Sequence, residues 1–166
     1  MALIPQESIN ELQTRIKHEE FNAKQYDAMK FWLNLNGYVN ASKLWGKYAE
    51  DERSHKQWAV DYLLDLNILP LEPAEDQPQT EFKGLPNIIA LTMARELQTT
   101  KEVEDLTDLC LSLKDYKTLG LAQKYVAEQV EELAKVQLLI DQLNAFGADQ
   151  IAMRLLDNWI GENLLG

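Results

Sequence analysis

Apolar residues recur every three to four positions along most of this chain, the period of an α-helix that buries one face. The first run reads Ile9, Leu12, Ile16, Glu19, Ala23, Tyr26, Lys30 and Leu33, opened by a capping-box pattern at Ser8-Ile9-Asn10-Glu11 and broken at Asn36-Gly37. A second stripe follows with Trp45, Tyr48, Glu52, His55, Ala59, Tyr62 and Leu66. The third holds Ile89, Met93, Glu96, Thr100, Val103, Leu106, Cys110 and Leu113, with Pro86 suited to its first turn. The fourth holds Ala122, Tyr125, Gln129, Glu132, Val136, Leu139 and Leu143, closed by Phe146-Gly147. Asp149 is placed to cap a short fifth helix. These periods predict helices over about 6–35, 39–66, 86–113, 116–145 and 149–163. No segment has the two-residue period of a strand, and no internal repeat is visible.

The connections then restrict the topology. Short turns join the first helix to the second and the third to the fourth, so each pair must be antiparallel neighbours. The segment NILPLEPAEDQPQTEFKGLP holds four of the five prolines and is the single long connection. A link of about 20 residues can run the length of a bundle and let helices two and three lie parallel, an arrangement known for four-helix bundles. The expected fold is therefore all-α: a four-helix bundle with a long crossover between helices two and three, plus a short C-terminal helix. An up-down bundle with a loose loop is the competing topology. One domain spanning 1–166 is the default at this length.

Composition removes several functional classes. Hydrophobic residues make up 46% of the chain, too many for a disordered protein. A net charge of −11 argues against nucleic acid and against anionic membrane surfaces as partners, and it favours cations. Cys110 is the only cysteine, so nothing calls for an oxidising compartment. The start of the chain has neither the basic nor the apolar region of a signal peptide, and no apolar run approaches the roughly 18–20 residues that span a bilayer. A cytoplasmic location is expected.

Each of the four long stripes is interrupted near its middle by groups that bind metals: Glu19, then Glu52 with His55, then Glu96, then Gln129 with Glu132. A lone Glu at such a position is usually a slightly rotated surface residue, and a lone His is usually a hydrogen-bonding partner. Four interruptions at similar depth, one of them Glu-x-x-His on a single face, form a joint pattern that coincidence explains poorly. Burying one bare carboxylate costs several kcal/mol, and four converging carboxylates repel one another. The stripes show no Lys or Arg at that level, so two divalent cations are expected to neutralise the cluster, with a neutral imidazole in the shell. Oxygen-rich coordination with one nitrogen suits iron, manganese or zinc. Glu20 competes with Glu19, which is preferred because Tyr26 shares its face two turns on.

Order and spacing of these residues resemble the ferritin family, most closely the bacterial non-haem ferritins, over nearly the whole chain. The shared pattern is Glu19 with Tyr26, then Glu52-Arg53-Ser54-His55, then Glu96, then Gln129-Val130-Glu131-Glu132. The resemblance implies a ferroxidase di-iron centre using dioxygen or peroxide. Glu19, Glu52 and His55 would surround one iron, with Glu52 bridging. Glu96 and Glu132 would hold the other, beside Gln129, and Tyr26 would be a hydrogen-bonding and redox-capable neighbour. Some members hold a third iron nearby, for which Asp51, Glu128 and Glu131 fall at matching positions, with aspartate in place of the more usual glutamate at Asp51. The resemblance also implies a homo-oligomeric 24-subunit shell around a ferric mineral.

Departures sharpen the comparison. The fourth-helix window EQVEE lacks the second Glu-x-x-His of bacterioferritins, rubrerythrins and di-iron oxygenases. Arg53 stands where bacterioferritins carry their haem methionine, so no haem is expected. His18 alone does not reproduce the first-helix histidines of the mini-ferritins. Lys124 stands where several bacterial ferritins have an aromatic residue near the centre, which leaves the handling of oxidised product open. The fifth helix has a broad apolar face in Ile151, Leu155, Leu156, Trp159 and Ile160, suited either to its own bundle or to a neighbouring subunit. Two other readings stay open: a ferritin-like di-metal oxidase without storage, and a helical scaffold whose core acids are protonated.

Overall fold

The computed structural model describes residues 3–166; the first two residues of the expected 1–166 span lie outside the described residues. Among the described residues there are five helices and no strand: α1 (Gln6–Leu35), α2 (Val39–Asp65), α3 (Leu85–Leu113), α4 (Tyr116–Phe146) and α5 (Gln150–Asn163). The boundaries follow local chemistry. Asp115 caps α4 by accepting from the Thr118 amide, and Asp149 caps α5 by accepting from the Ala152 amide at 2.8 Å. Gly147, at φ 92°, ends α4 in a backbone region that an L side chain resists. The capping-box expectation at Ser8 is corrected. Pro5, with its φ of −59° suited to a helix start, opens α1, and Ser8 lies buried within the first turn.

α1 packs along α2 and α3 along α4, as the short turns require. The crossover 66–84 is tied along α1. Gln13 accepts from the Leu71 amide and donates to the Leu69 carbonyl, and Gln25 forms a reciprocal pair of 2.9 Å bonds with the backbone of Gln79. Twelve helical residues separate Gln13 from Gln25, a travel of about 18 Å. The crossover therefore carries the chain from the end of α2 back along α1, where Phe82 meets Trp32 edge to face. α3 then starts level with the start of α2 and runs parallel to it. The predicted bundle with its long crossover is the observed fold.

Side-chain hydrogen bonding fixes α5. Asp157 is buried and accepts from the amide of Ala41 at 2.8 Å and from the backbone and side-chain nitrogens of Asn40, capping α2 from outside it. Arg154, one turn earlier, donates to the carbonyls of Gly37 and Asn36 at the end of α1. One helix thus satisfies orphan groups at both sides of the α1–α2 turn. Leu156 and Ile160 are buried against the bundle, whereas Ile151 and Leu155 are exposed. Part of the apolar face therefore covers its own bundle, and the part that carries Ile151 and Leu155 faces outward.

The buried hydrophobics form two clusters. One, around Trp45, Met29, Leu85 and Leu156, includes α5; the other, around Leu12, Ile16, Leu63 and Leu106, lies toward the start of α1. Met29, not Lys30, takes the core position on α1, and Lys30 is half-buried. Between the clusters lies a polar layer. Replacing Asp157 by Ala is expected to destabilise the fold by about 1–2 kcal/mol, the usual cost of losing a cap. Faster amide hydrogen exchange at Asn40 and Ala41, with the rest of α2 protected, is the measurement that checks it.

Candidate metal centre

Glu19, Glu52, His55, Glu96, Gln129 and Glu132 all lie in the polar layer, and each is at least nine-tenths buried. Helical register places them. Glu52 and His55 stand one turn apart on α2, Gln129 and Glu132 one turn apart on α4, and Glu19 and Glu96 face inward from α1 and α3. Glu20 faces elsewhere and pairs with Lys56 at 2.8 Å. Of the two neighbouring acids on α1, Glu19 is the one that faces the layer.

Two groups of ligand atoms come together. Glu19, Glu52 and His55 each offer one atom within 4.8 Å of the others, all from buried residues, and His55, Glu128 and Glu132 do the same. His55 is common to both. Its Nδ1 lies 3.9 Å from Glu19 and 4.0 Å from Glu52, and its Nε2 lies 3.5 Å from Glu128. Glu96 belongs to neither group; its carboxylate accepts from the Tyr26 hydroxyl and from Gln129 Nε2 at 3.1 Å. Of the three acids expected to form a third site, Glu128 joins the cluster. Asp51 is half-exposed and 3.8 Å from Lys135, and Glu131 is exposed.

The layer contains cations that the stripes did not reveal. The expectation of no Lys or Arg at this level is corrected. Arg15, only 3% exposed, pairs with Glu19 at 2.8 Å from one turn earlier on α1. Lys135 pairs with Glu132 at 2.8 Å from its own partly exposed position. Both were hidden because an Arg or Lys beside a stripe reads as a surface residue, although its long stem can carry the charge inward. Further polar residues also escaped notice. Asn22 donates to Glu52 at 3.3 Å and to Thr99 at 3.1 Å. The Tyr125 hydroxyl donates to the carbonyl of His55. Trp58 lies 4.8 Å from the His55 ring with Lys124 Nζ 3.8 Å over its face. An aromatic ring does stand beside the centre, carried by α2, while Lys124 covers it.

Burial dominates the electrostatics. Desolvation, and then the neighbouring Glu19, push Glu52 well above the usual carboxylate range. Glu96 is raised by burial, partly offset by the hydrogen bonds from Tyr26 and Gln129. Burial lifts Glu132 to about 7 despite Lys135. Three carboxyls are thus displaced upward in one layer, where added positive charge would favour their ionised forms. Glu19 Oε2 is buried and has no hydrogen-bond partner, an orphaned acceptor that a cation would satisfy. The donor set is oxygen-rich with one imidazole and fits iron, manganese or zinc.

Residues 9–146 match the family model of the ferritin-like domain. The chain is 30% identical over 155 residues to a bacterial non-heme ferritin of Staphylococcus saprophyticus, covering 93% of each chain. It is 26% identical over 155 residues to a bacterial non-heme ferritin of Escherichia coli O6:H1, covering 93% of this chain and 94% of the relative. Among solved structures, an open pore ferritin of the archaeon Archaeoglobus fulgidus superposes with a TM-score of 0.92 at 25% identity, covering 97% of this chain and 98% of that one. Among the described residues, no helix is long and apolar enough to cross a membrane.

The raised carboxyls dictate a pH response of the metal-stripped protein. The unfolded Glu132 ionises near 4.5 and the folded one near 7, so the folded state holds the extra proton between those values. Stability should therefore fall as pH rises from about 4.5 to 7, with Glu52 and Glu96 acting in the same direction. Thermal melting across that window, with and without a divalent cation, is the check; added cation should remove the decline.

Proposed function

The chain belongs to the ferritin family, and from that premise we propose that it is an iron storage protein with ferroxidase activity. It oxidises Fe2+ at a di-iron centre within each subunit and keeps ferric mineral in a homo-oligomeric cage of about 24 subunits. The observation that carries this reading is the buried convergence of Glu19, Glu52 and His55 beside the second group of His55, Glu128 and Glu132. Acids placed there at a desolvation cost have a function in receiving cations.

Iron is substrate in this reading. Glu19, Glu52 and His55 take one ferrous ion. Glu132 takes the other, with Glu96 and Gln129 alongside, and Glu52 is the bridging carboxylate. Each ion gives one electron, and the two electrons with two protons reduce dioxygen to hydrogen peroxide, or hydrogen peroxide to water, before the ferric product leaves for the mineral. The protein sets ligand number and spacing. Tyr26, Gln129 and Asn22 hold the carboxylates in place, so little reorganisation is needed when the ions arrive. Asp51, Glu128 and Glu131 are the candidates for a third iron position in this scheme, and of these Glu128 reaches His55 at 3.5 Å. The exposed Ile151 and Leu155 of α5 supply an apolar face for subunit contact.

Anaerobic titration with ferrous salt, followed by admission of air, tests the reading. Rapid oxidation with iron retained in a large particle is the expected outcome. Glu52→Ala and His55→Ala should each slow oxidation at least about tenfold, with particle size by light scattering unchanged. Unchanged rates would count against the site assignment. A monomer or dimer that still oxidised iron would replace storage by a di-metal oxidase.

A further inference from the structure

Arg15 presents a problem that the ferroxidase reading leaves unsolved. A guanidinium remains charged at any working pH, and Arg15 is buried, only 3% exposed. It holds Glu19 Oε1 at 2.8 Å, while Glu19 Oε2 is the orphaned oxygen near His55. An unbalanced cation in that position would repel an arriving metal ion and compete with it for Glu19.

Glu102, from α3, stands on the other side of Arg15. Its Oε2 accepts from Arg15 Nη1 at 2.8 Å and lies 3.0 Å from His18 Nδ1. Although partial burial works against ionisation, His18 and Arg15 hold the Glu102 carboxyl at about 2, so it is a permanent anion. A cavity of about 330 Å3 opens over this pair, lined by Arg15, His18, Glu102 and Asp105 among others. Arg15 Nε meets Glu19 as an ion pair without hydrogen-bond geometry, and Nη2 lacks a partner altogether, so the guanidinium has a free donor as well as adjacent space.

We propose that Glu102 is a positioning residue for the iron site: it cancels the charge of Arg15, so that Arg15 orients Glu19 through one oxygen and leaves the other for a divalent cation. Glu102 touches no metal in this arrangement. It acts through Arg15 and Glu19, across the α1–α3 contact, and His18 secures its outer side. The inference rests on Glu19 being a metal ligand, and its test separates the two claims.

Cobalt(II), which binds similar ligands and remains unoxidised in air, is titrated into the metal-free full-length protein and followed by visible absorption. Wild type should bind tightly, and Glu19→Ala should lose one ion. Glu102→Gln should weaken binding between about 10- and 100-fold, the range for partners that orient a ligand, because an unbalanced Arg15 then clamps Glu19. Glu102→Asp should stay close to wild type. The double variant Arg15→Gln/Glu102→Gln should recover most of the lost affinity, because the competing cation has gone with its partner. A structural role alone would make the double variant at least as weak as the single. Glu102→Gln with wild-type affinity, or a double variant no better than Glu102→Gln, overturns the inference while the ligand assignment stands. Wild type that binds no cobalt overturns both.

Discussion

Four carboxylates buried in one layer are the constraint on which the rest of this structure depends. A core of this size would be more stable if the layer were apolar, because each buried acid carries a desolvation cost that ion pairing only partly offsets. Glu52, Glu96 and Glu132 answer that cost by holding their protons to higher pH. Glu19 answers it with Arg15, and Glu132 additionally with Lys135. The two apolar clusters on either side supply the stability that lets such a layer persist. Helices of 27–31 residues are long enough to carry an apolar stretch on each side of it.

Precise placement of the layer requires a fixed register between helices, and two devices supply it. The crossover is hydrogen-bonded along α1 by Gln13 and Gln25, which sets where α3 begins relative to α1. α5 then locks the α1–α2 turn through Arg154 and Asp157. One residue of slip in α3 would turn Glu96 by about 100° and take it away from Tyr26 and Gln129. Hydrogen bonds to the loop and the turn therefore serve the site without touching it.

Much of this was legible in the sequence because it is periodic. Helix existence and the six inward ligand candidates follow from a 3.6-residue pattern interrupted at one depth, and the parallel α2–α3 pair follows from the length of the one long connection. Illegible features were those that periodicity does not encode. Arg15 lies one position before Ile16 in the stripe, and only the stem of its side chain explains its burial. Glu102 reads as solvent-facing on α3 and matters only through a partner 87 residues away. Trp58 sits one turn after His55 and outside the stripe, and only the fold brings its ring against both His55 and Tyr125. Ser8 misled for the opposite reason: a capping motif was present, but Pro5 began the helix first.

The chain's net charge of −11 belongs to the same physics at longer range. An excess of acid repels itself and lowers the stability of the compact state, yet it raises the local concentration of cations. A bound cation would relieve part of that repulsion, so the two effects would oppose each other less in a loaded protein. Any ion that binds the native state and not the unfolded chain adds RT ln(1 + [L]/Kd) to stability. In the proposed function, surface acids that concentrate the ion and buried acids that hold it would therefore multiply each other. The local cations obey a different rule. Arg15 must stay neutralised by Glu102 if it is not to cancel the attraction that the rest of the sequence builds.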